Sequence, residues 1–380
     1  MKILYIIDTI QGSGAERSLT EIALHLKRHT PVFVHVYEGD MLVPLLEKSG
    51  IKVYSLNIPG PRNFDKALEE LAKVYEKEQP DIIHTTLFKS DILGRNLKSK
   101  YPNMLLVSSF VNNSYNKLRF KNQGFVHNVK LRLVQLFDAY TSRKVDFFIS
   151  NSETIKQAKS RATWVDENKV QVIFRGRDIG KFEPIEDQSA KELKESLGIK
   201  SENILLNVSR LIERKGQMDL INALPLILKQ FPNSILLIAG HGNYETQLKK
   251  RAMELGVDRN LKILGRRTDV PQLLAIAHVF VYPSYFEGLP GALIEAMLAK
   301  KLIVCSNIPE NMECVNSDSA LIFERGEETE LAEKVIYALR EKENLAQLGE
   351  NARRMAIEKF DIRKIAKQYE DYYYKIMEKS

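Results

Sequence analysis

Two cysteines and a single tryptophan among 380 residues are the scarcest side chains here. Cys305 and Cys314 stand close together without metal-ligand spacing, so neither a disulfide scaffold nor a zinc site is indicated. Reduced structural thiols in a cytoplasmic protein are the expectation. No apolar run reaches the ~20 residues that cross a bilayer. The opening MKILYIID lacks a basic region followed by an apolar signal core, so it is read as a short strand and secretion is not expected. Short-period repeats and low-complexity segments are missing too, which excludes a solenoid or a disordered linker protein. What remains is ordinary globular composition, 44% hydrophobic and 28% charged. The length exceeds one ordinary core, so two domains are the default.

The net charge is +7 and the pI about 9.0, which admits nucleic acid, a membrane surface or an anionic small molecule as partner. The densest excess runs through Lys117, Arg119, Lys121, Lys130, Arg132, Arg143 and Lys144, with Asp138 the only acid between them. Leu118, Phe120, Phe125, Val126, Leu131, Leu133, Val134, Leu136 and Phe137 are interleaved. A basic amphipathic helix of this kind suits an anionic membrane surface along residues 117–144. It equally suits a core helix whose outer face is basic.

Short apolar runs alternate with helical patterns in two series. KILYII, PVFVHVY, KVYSL, DIIHT, NMLLVSS and DFFISNS form the first; NILLNVS, SILLIAG, LKILG, HVFVYPS, KLIVCSN and ALIFE form the second. Nearly continuous apolar strands separated by helices predict parallel sheets covered on both faces. The seam is the polar stretch 184–203, read as turn-rich. After Arg325 the chain becomes helical, and a tail carrying Ile365, Tyr369, Tyr372, Tyr373 and Ile376 has an apolar stripe that must be buried. The fold class is therefore α/β, two doubly wound parallel-sheet domains. In such sheets ligands sit at the carboxyl ends of the strands, so segments just after strands matter most.

Three such segments stand out in the second series. In NVSRLIERKG, Arg210 and Lys215 beside a helix start suit an anion, or are solvated turn charges. In IAGHGNYE, Gly240 and Gly242 let something approach the backbone, or merely form a tight turn; the third glycine of a dinucleotide fingerprint is absent. In YFEGLPGALIEAM, Glu287 precedes a helix and Glu295 lies two turns inside it. The backbone N–H groups of Gly288, Leu289 and Gly291 are expected to meet ligand hydroxyls or phosphate, and a carboxylate pair suits vicinal hydroxyls. Capping and surface roles are the plainer reading, although Glu295 has mostly apolar neighbours.

Together these segments resemble the retaining glycosyltransferases of family 4, of GT-B architecture. EGLPGALIE is similar to the family's Glu-x7-Glu signature, VSRLIERKG to its phosphate segment, and IAGHGNYE to its Gly-x-Gly turn. GSGAE and DIIHTTLFKSDILGR resemble first-domain segments, so nearly the whole chain is covered. The resemblance implies that Glu287 contacts the donor sugar, Glu295 the ribose, and Arg210 and Lys215 the diphosphate. It implies a Gly14 backbone N–H on that diphosphate and Arg266 near the base. Two domains facing a cleft follow: residues 1–183 for the acceptor, 184–360 for the donor, and 361–380 crossing back as a helix on the first domain.

The implied reaction moves a sugar from a nucleotide-diphosphate sugar, UDP-linked by expectation, to a glycan or lipid-linked saccharide acceptor in cell-surface polysaccharide synthesis. No Asp-x-Asp occurs, so no metal or other cofactor is expected; fixed cations would neutralise the leaving group. Asn112 stands where the family often has histidine, and FRGRD departs from the usual Asn-Gly-x-Asp. His84 is either a sugar contact or a hydrogen-bonded strand-end histidine. A nucleotide-sugar epimerase of the same architecture is the alternative. Nucleic acid is disfavoured because the candidate site mixes acids with bases. Location in the cytoplasm, peripheral on the inner face of the cell membrane, completes the expectations.

Overall fold

The computed structural model describes residues 1–60, 63–121, 124–183 and 186–379, without the side chains of Lys121 and Asp187. Asn122 and Gln123 of the basic stretch, and Pro184, where the second domain was expected to begin, lie outside the described residues. The chain divides into two compact units, Met1–Arg177 with Ile362–Ser380, and Asp178–Asp361. The first division thus falls six residues before the expected one, between Arg177 and Asp178.

Unit 1 contains strands β1 (Lys2–Ile7), β2 (Thr30–His35), β3 (Lys52–Ser55), β4 (Ile82–Thr86), β5 (Leu105–Phe110), β6 (Phe147–Ser150) and β7 (Val170–Val172). They pair in parallel in the order β3-β2-β1-β4-β5-β6-β7. Apart from Lys2 at its start, β1 is buried on both faces, and so is β4, as central parallel strands covered by helices on both sides are. The helix Ile362–Met377 buries Ile365, Tyr369, Tyr372, Tyr373 and Ile376 against Ile3, Tyr5, Leu19 and Ile22. Its polar side is tied down as well: Glu370 accepts from Lys27 N at 2.6 Å and pairs with Arg28 Nε at 3.1 Å. The apolar stripe of the tail therefore closes the core of unit 1.

Unit 2 contains β8 (Asn203–Val208), β9 (Ser234–Ala239), β10 (Leu261–Ile263), β11 (Val279–Tyr282), β12 (Leu302–Ser306) and β13 (Leu321–Phe323). The order is β10-β9-β8-β11-β12-β13, again parallel. Chain order reverses between β8 and β11, so the loops leaving these two neighbours flank the switch point of the sheet. The loops in question are Ser209–Gly216 and Pro283–Pro290, the two segments richest in candidate residues.

Two elements differ from expectation. The seam is not merely turn-rich: Asp187–Ser196 is a helix. β7 was not anticipated, since three residues carry too little periodicity to register. The basic stretch forms a short helix, Lys117–Lys121, and a long one, Phe125–Ser142. The long helix is not a core helix with a basic outer face, because its outward face is apolar.

Candidate active site

The β8 and β11 loops are laced together by one backbone bond and one side-chain bond to backbone. Tyr285 N donates to Arg214 O at 2.9 Å, and Arg214 Nη1 donates to Phe286 O at 2.6 Å. Gly216 has φ +66°, and a Cβ there would lie 2.0 Å from Pro283 O. Only glycine satisfies both demands. Pro283, lacking an N–H, ends β11 and releases the chain into the loop. Leu289 is 1% exposed and pins the loop to the core, so any contact it makes with a ligand is through its backbone.

This lacing delivers one carboxylate to two cations. Glu287 is 5% exposed; its Oε1 accepts from Lys215 Nζ and, at 2.8 Å, from Tyr282 OH. Arg214 Nη1 stands 3.5 Å from Oε2. Burial alone would raise the Glu287 carboxyl, but Lys215 and Arg214 outweigh it and hold the group down at about 2. Burial pulls Lys215 down to about 8; Glu287 opposes this, and Arg214 and Arg210 add to it. Arg210 is exposed at the end of β8, with its carbonyl fixed by Gln217 Nε2 at 2.9 Å. The result is a preorganised cationic patch anchored by a single carboxylate.

The helix Gly291–Leu298 starts after Pro290, its N-cap, and no side chain caps it. Proline therefore sits one residue earlier than the first turn, and the helix end keeps uncapped N–H donors of the kind that meet anions or hydroxyls. Glu295 is half-buried one turn after Gly291 on the same side. Gly240 and Gly242 turn out to serve packing: Cβ atoms there would lie 1.8 Å from Ser209 O and 2.1 Å from Leu211 O. They let the β9 loop back the β8 loop, which is the tight-turn reading of that segment.

The group 1 glycosyl transferases match residues 189–355, and glycosyltransferase family 4 matches residues 12–181. The chain belongs to this family. It is 29% identical over 252 residues to the UDP-Gal:alpha-D-GlcNAc-diphosphoundecaprenol alpha-1,3-galactosyltransferase of Escherichia coli, covering 65% of this chain and 62% of that enzyme. The chain thus spans about three-fifths of that relative's length. It is 26% identical to the capsular polysaccharide biosynthesis glycosyltransferase CapH of Staphylococcus aureus, covering 82% of this chain and 83% of CapH. The structure of Anabaena Alr3699/HepE in complex with UDP and glucose superimposes with a TM-score of 0.86 at 23% identity, covering 99% of this chain and 100% of that one. That likeness establishes the GT-B fold.

Within this family 4 member the remaining candidate residues are placed as follows. Gly14 opens the helix Gly14–His25 in unit 1, and Arg175 Nη1 lies 3.4 Å from where its Cβ would be. Arg266 is exposed after Gly265, whose carbonyl accepts from Gly240 N at 2.8 Å. Asn112 is exposed beyond β5, with its Oδ1 accepting from Ser114 Oγ. His84 has no surface to offer a sugar. It is fully buried, its Nδ1 2.6 Å from Tyr373 OH and its Nε2 2.7 Å from Ser109 Oγ, and burial pushes it down to about 3. It is a neutral core histidine, the strand-end reading.

Sequence reasoning missed Arg214, Tyr282 and Glu310. Arg214 was visible inside ERKG, but nothing in one dimension says that both of two adjacent cations turn toward one carboxylate. Tyr282 looked like a strand residue. Glu310, 3% exposed at the start of a short helix, is pushed up to about 7 by burial, with Glu287 adding to it.

Proposed function

We propose that the protein transfers a sugar, with retention of anomeric configuration, from a UDP-sugar to a glycan or lipid-linked saccharide acceptor in cell-surface polysaccharide synthesis. The observation that carries this reading is the buried Lys215–Glu287 pair, joined by Tyr282 and Arg214, at the switch point of unit 2. Donor binding is assigned to unit 2 and acceptor binding to unit 1. Glu287 orients hydroxyls of the transferred sugar, and Glu295 takes the ribose. Arg210 and Lys215 receive the diphosphate, with Gly288, Leu289 and Gly291 offering backbone N–H groups; Gly14 and Arg266 are assigned to diphosphate and base.

The bond that breaks joins C1 of the sugar to the phosphate oxygen, and its electron pair leaves with the nucleoside diphosphate. The acceptor hydroxyl forms the new bond to C1 from the same face, its proton passing to the departing phosphate. Fixed cations neutralise the charge that grows on that phosphate, and no metal or cofactor is assigned. Relatives support this class of substrate by name. They include the Escherichia coli enzyme above and the N,N'-diacetylbacillosaminyl-diphospho-undecaprenol alpha-1,3-N-acetylgalactosaminyltransferase of Campylobacter jejuni, 26% identical over 303 residues. HepE also crystallised with UDP-glucose. The epimerase alternative finds no support among these relatives.

For the acceptor, unit 1 offers a recess of about 560 Å³ at the carboxyl ends of β1, β2 and β4, lined by Asp8, Thr9, Tyr37, Glu38 and Lys89. Leu87 beside it has φ +80°, a conformation held against strain of the kind that collects at ligand sites.

The test is a donor screen. Purified protein is incubated with UDP-, GDP-, dTDP- and ADP-sugars, and nucleoside diphosphate release is followed with and without EDTA, for wild type and Glu287→Ala. Release from a UDP-sugar that EDTA leaves intact and Glu287→Ala abolishes is the expected result. Conversion of the sugar to its epimer, or release that needs a divalent cation, would overturn the reading.

A further inference from the structure

The helix Phe125–Ser142 is built inside out. Its inward face buries Leu131 and Ala139 but is anchored by a polar group: Asp138, 2% exposed, accepts from Arg95 Nη1 at 2.7 Å, Tyr115 OH at 2.8 Å and Lys159 Nζ at 3.0 Å. Burial works against this carboxylate, yet Lys159 and Arg95 hold it below the usual range. Gln135 Nε2 adds a bond to Ala162 O at 3.0 Å on the same side. The hydrophobic face points away from the unit. Val126, Val129, Leu133, Leu136, Phe137 and Tyr140 are each 42–67% exposed. At 3.6 residues per turn these six fall within an arc of roughly 100°. A solvent-facing stripe of this kind on a single helix marks a surface that something covers.

Charge decides what covers it. Lys130 borders the stripe on one edge, and Arg132 and Arg143 border it on the other, all three exposed. Asp138, the only acid between Lys117 and Lys144, is spent on the inward face. A second copy docked on the same stripe would set each cation against its own kind with no acid to pair it. Among the described residues no helix is long and apolar enough to cross a membrane. We propose that this face lies flat on an anionic lipid bilayer, its apolar stripe in the acyl boundary and its flanking cations among the headgroups. The same helix that Asp138 holds to unit 1 thereby holds unit 1 to the membrane.

The inference stands apart from the transfer chemistry, because its test needs neither donor nor acceptor. Full-length protein is sedimented with vesicles of phosphatidylcholine alone and with phosphatidylglycerol added, at low and high salt. Wild type is expected to bind the phosphatidylglycerol vesicles, weakened but not released by salt, since screening leaves the apolar contribution intact. Leu133→Ser with Phe137→Ser is expected to lower the partition about tenfold or more. Lys130→Glu with Arg132→Glu is expected to remove the preference for phosphatidylglycerol. These positions are exposed, so circular dichroism should show an unchanged fold. The proposal fails if wild type binds neither vesicle, or if the serine pair binds like wild type. It also fails if wild type sediments as a dimer that the serine pair makes monomeric, which would give the face to a second copy.

Discussion

Removing the charge of Lys215 while keeping its length, as Lys215→Met, isolates what the buried pair does. Taking one partner from a buried ion pair costs about 3–5 kcal/mol, because the other charge stays desolvated. Here Arg214 remains 3.5 Å from Glu287, so the lower end applies, about 3 kcal/mol. For a unit of this size that lowers the melting temperature by roughly 6–12 °C. The second half of the cycle is more telling. In the double variant Lys215→Met with Glu287→Gln neither charge is left buried without its partner, and stability should return to within about 1 kcal/mol of wild type. Trp164 lies in unit 1, so tryptophan fluorescence cannot follow this event; calorimetry, which sees both units melt, is the assay. UDP binding should stay lost in the double variant even as stability returns. Refutation is simple: if the double variant loses at least the sum of the two single losses, the residues are not coupled and the site is not built as described.

Two further outcomes follow from the same loops. Gly216→Ala meets both a left-handed backbone and a Cβ 2.0 Å from Pro283 O, so the two loops must part. Unit 2 should lose about 2 kcal/mol or more by calorimetry, and donor-dependent release should fall with it. Asp219 is pushed up to about 6 by burial, while a hydrogen bond from Tyr285 pulls the other way. With a folded value above the unfolded 3.8, the native state binds the extra proton between those limits, so stability falls as pH rises through that window and the penalty is complete at pH 7. Asp219→Asn should therefore raise the melting temperature at pH 7.5 and change it little below pH 4; an equal shift at both would sink the argument.

Much of this architecture was legible because its signals are local. Parallel strands such as β1 and β8 read as nearly continuous apolar runs, and Glu287 and Glu295 are tied by a spacing that survives folding. What was illegible is direction. Arg214 and Lys215 are adjacent in sequence, and only the turn Glu213–Lys215 shows that both reach Glu287 while Arg210 stays exposed. Gly240 and Gly242 announce a close approach without saying to what; the answer is the neighbouring loop's carbonyls. The helix Phe125–Ser142 is the sharpest case. Periodicity places its apolar and polar residues on opposite faces but is silent on which face turns inward. Arg95 and Lys159, both distant in sequence from most of the stripe, make that decision by claiming Asp138.

Under the proposed function, the charge arrangement at the switch point accounts for one carboxylate in a site assigned to an anion. Arg214 and Lys215 bring two positive charges against the one on Glu287, and Arg210 stands near enough to act on Lys215. Without Glu287, burial and mutual repulsion would drive the proton from Lys215 and forfeit its charge. With it, the lysine stays protonated below pH 8 and the patch keeps a positive excess. Glu310 fits the same logic: buried and near Glu287, its carboxyl is pushed up to about 7, so below neutral pH it adds little opposing charge. One ionised acid keeps the cations charged, and a second ionised acid at the same place would cancel the excess that the proposed reaction assigns to the leaving group.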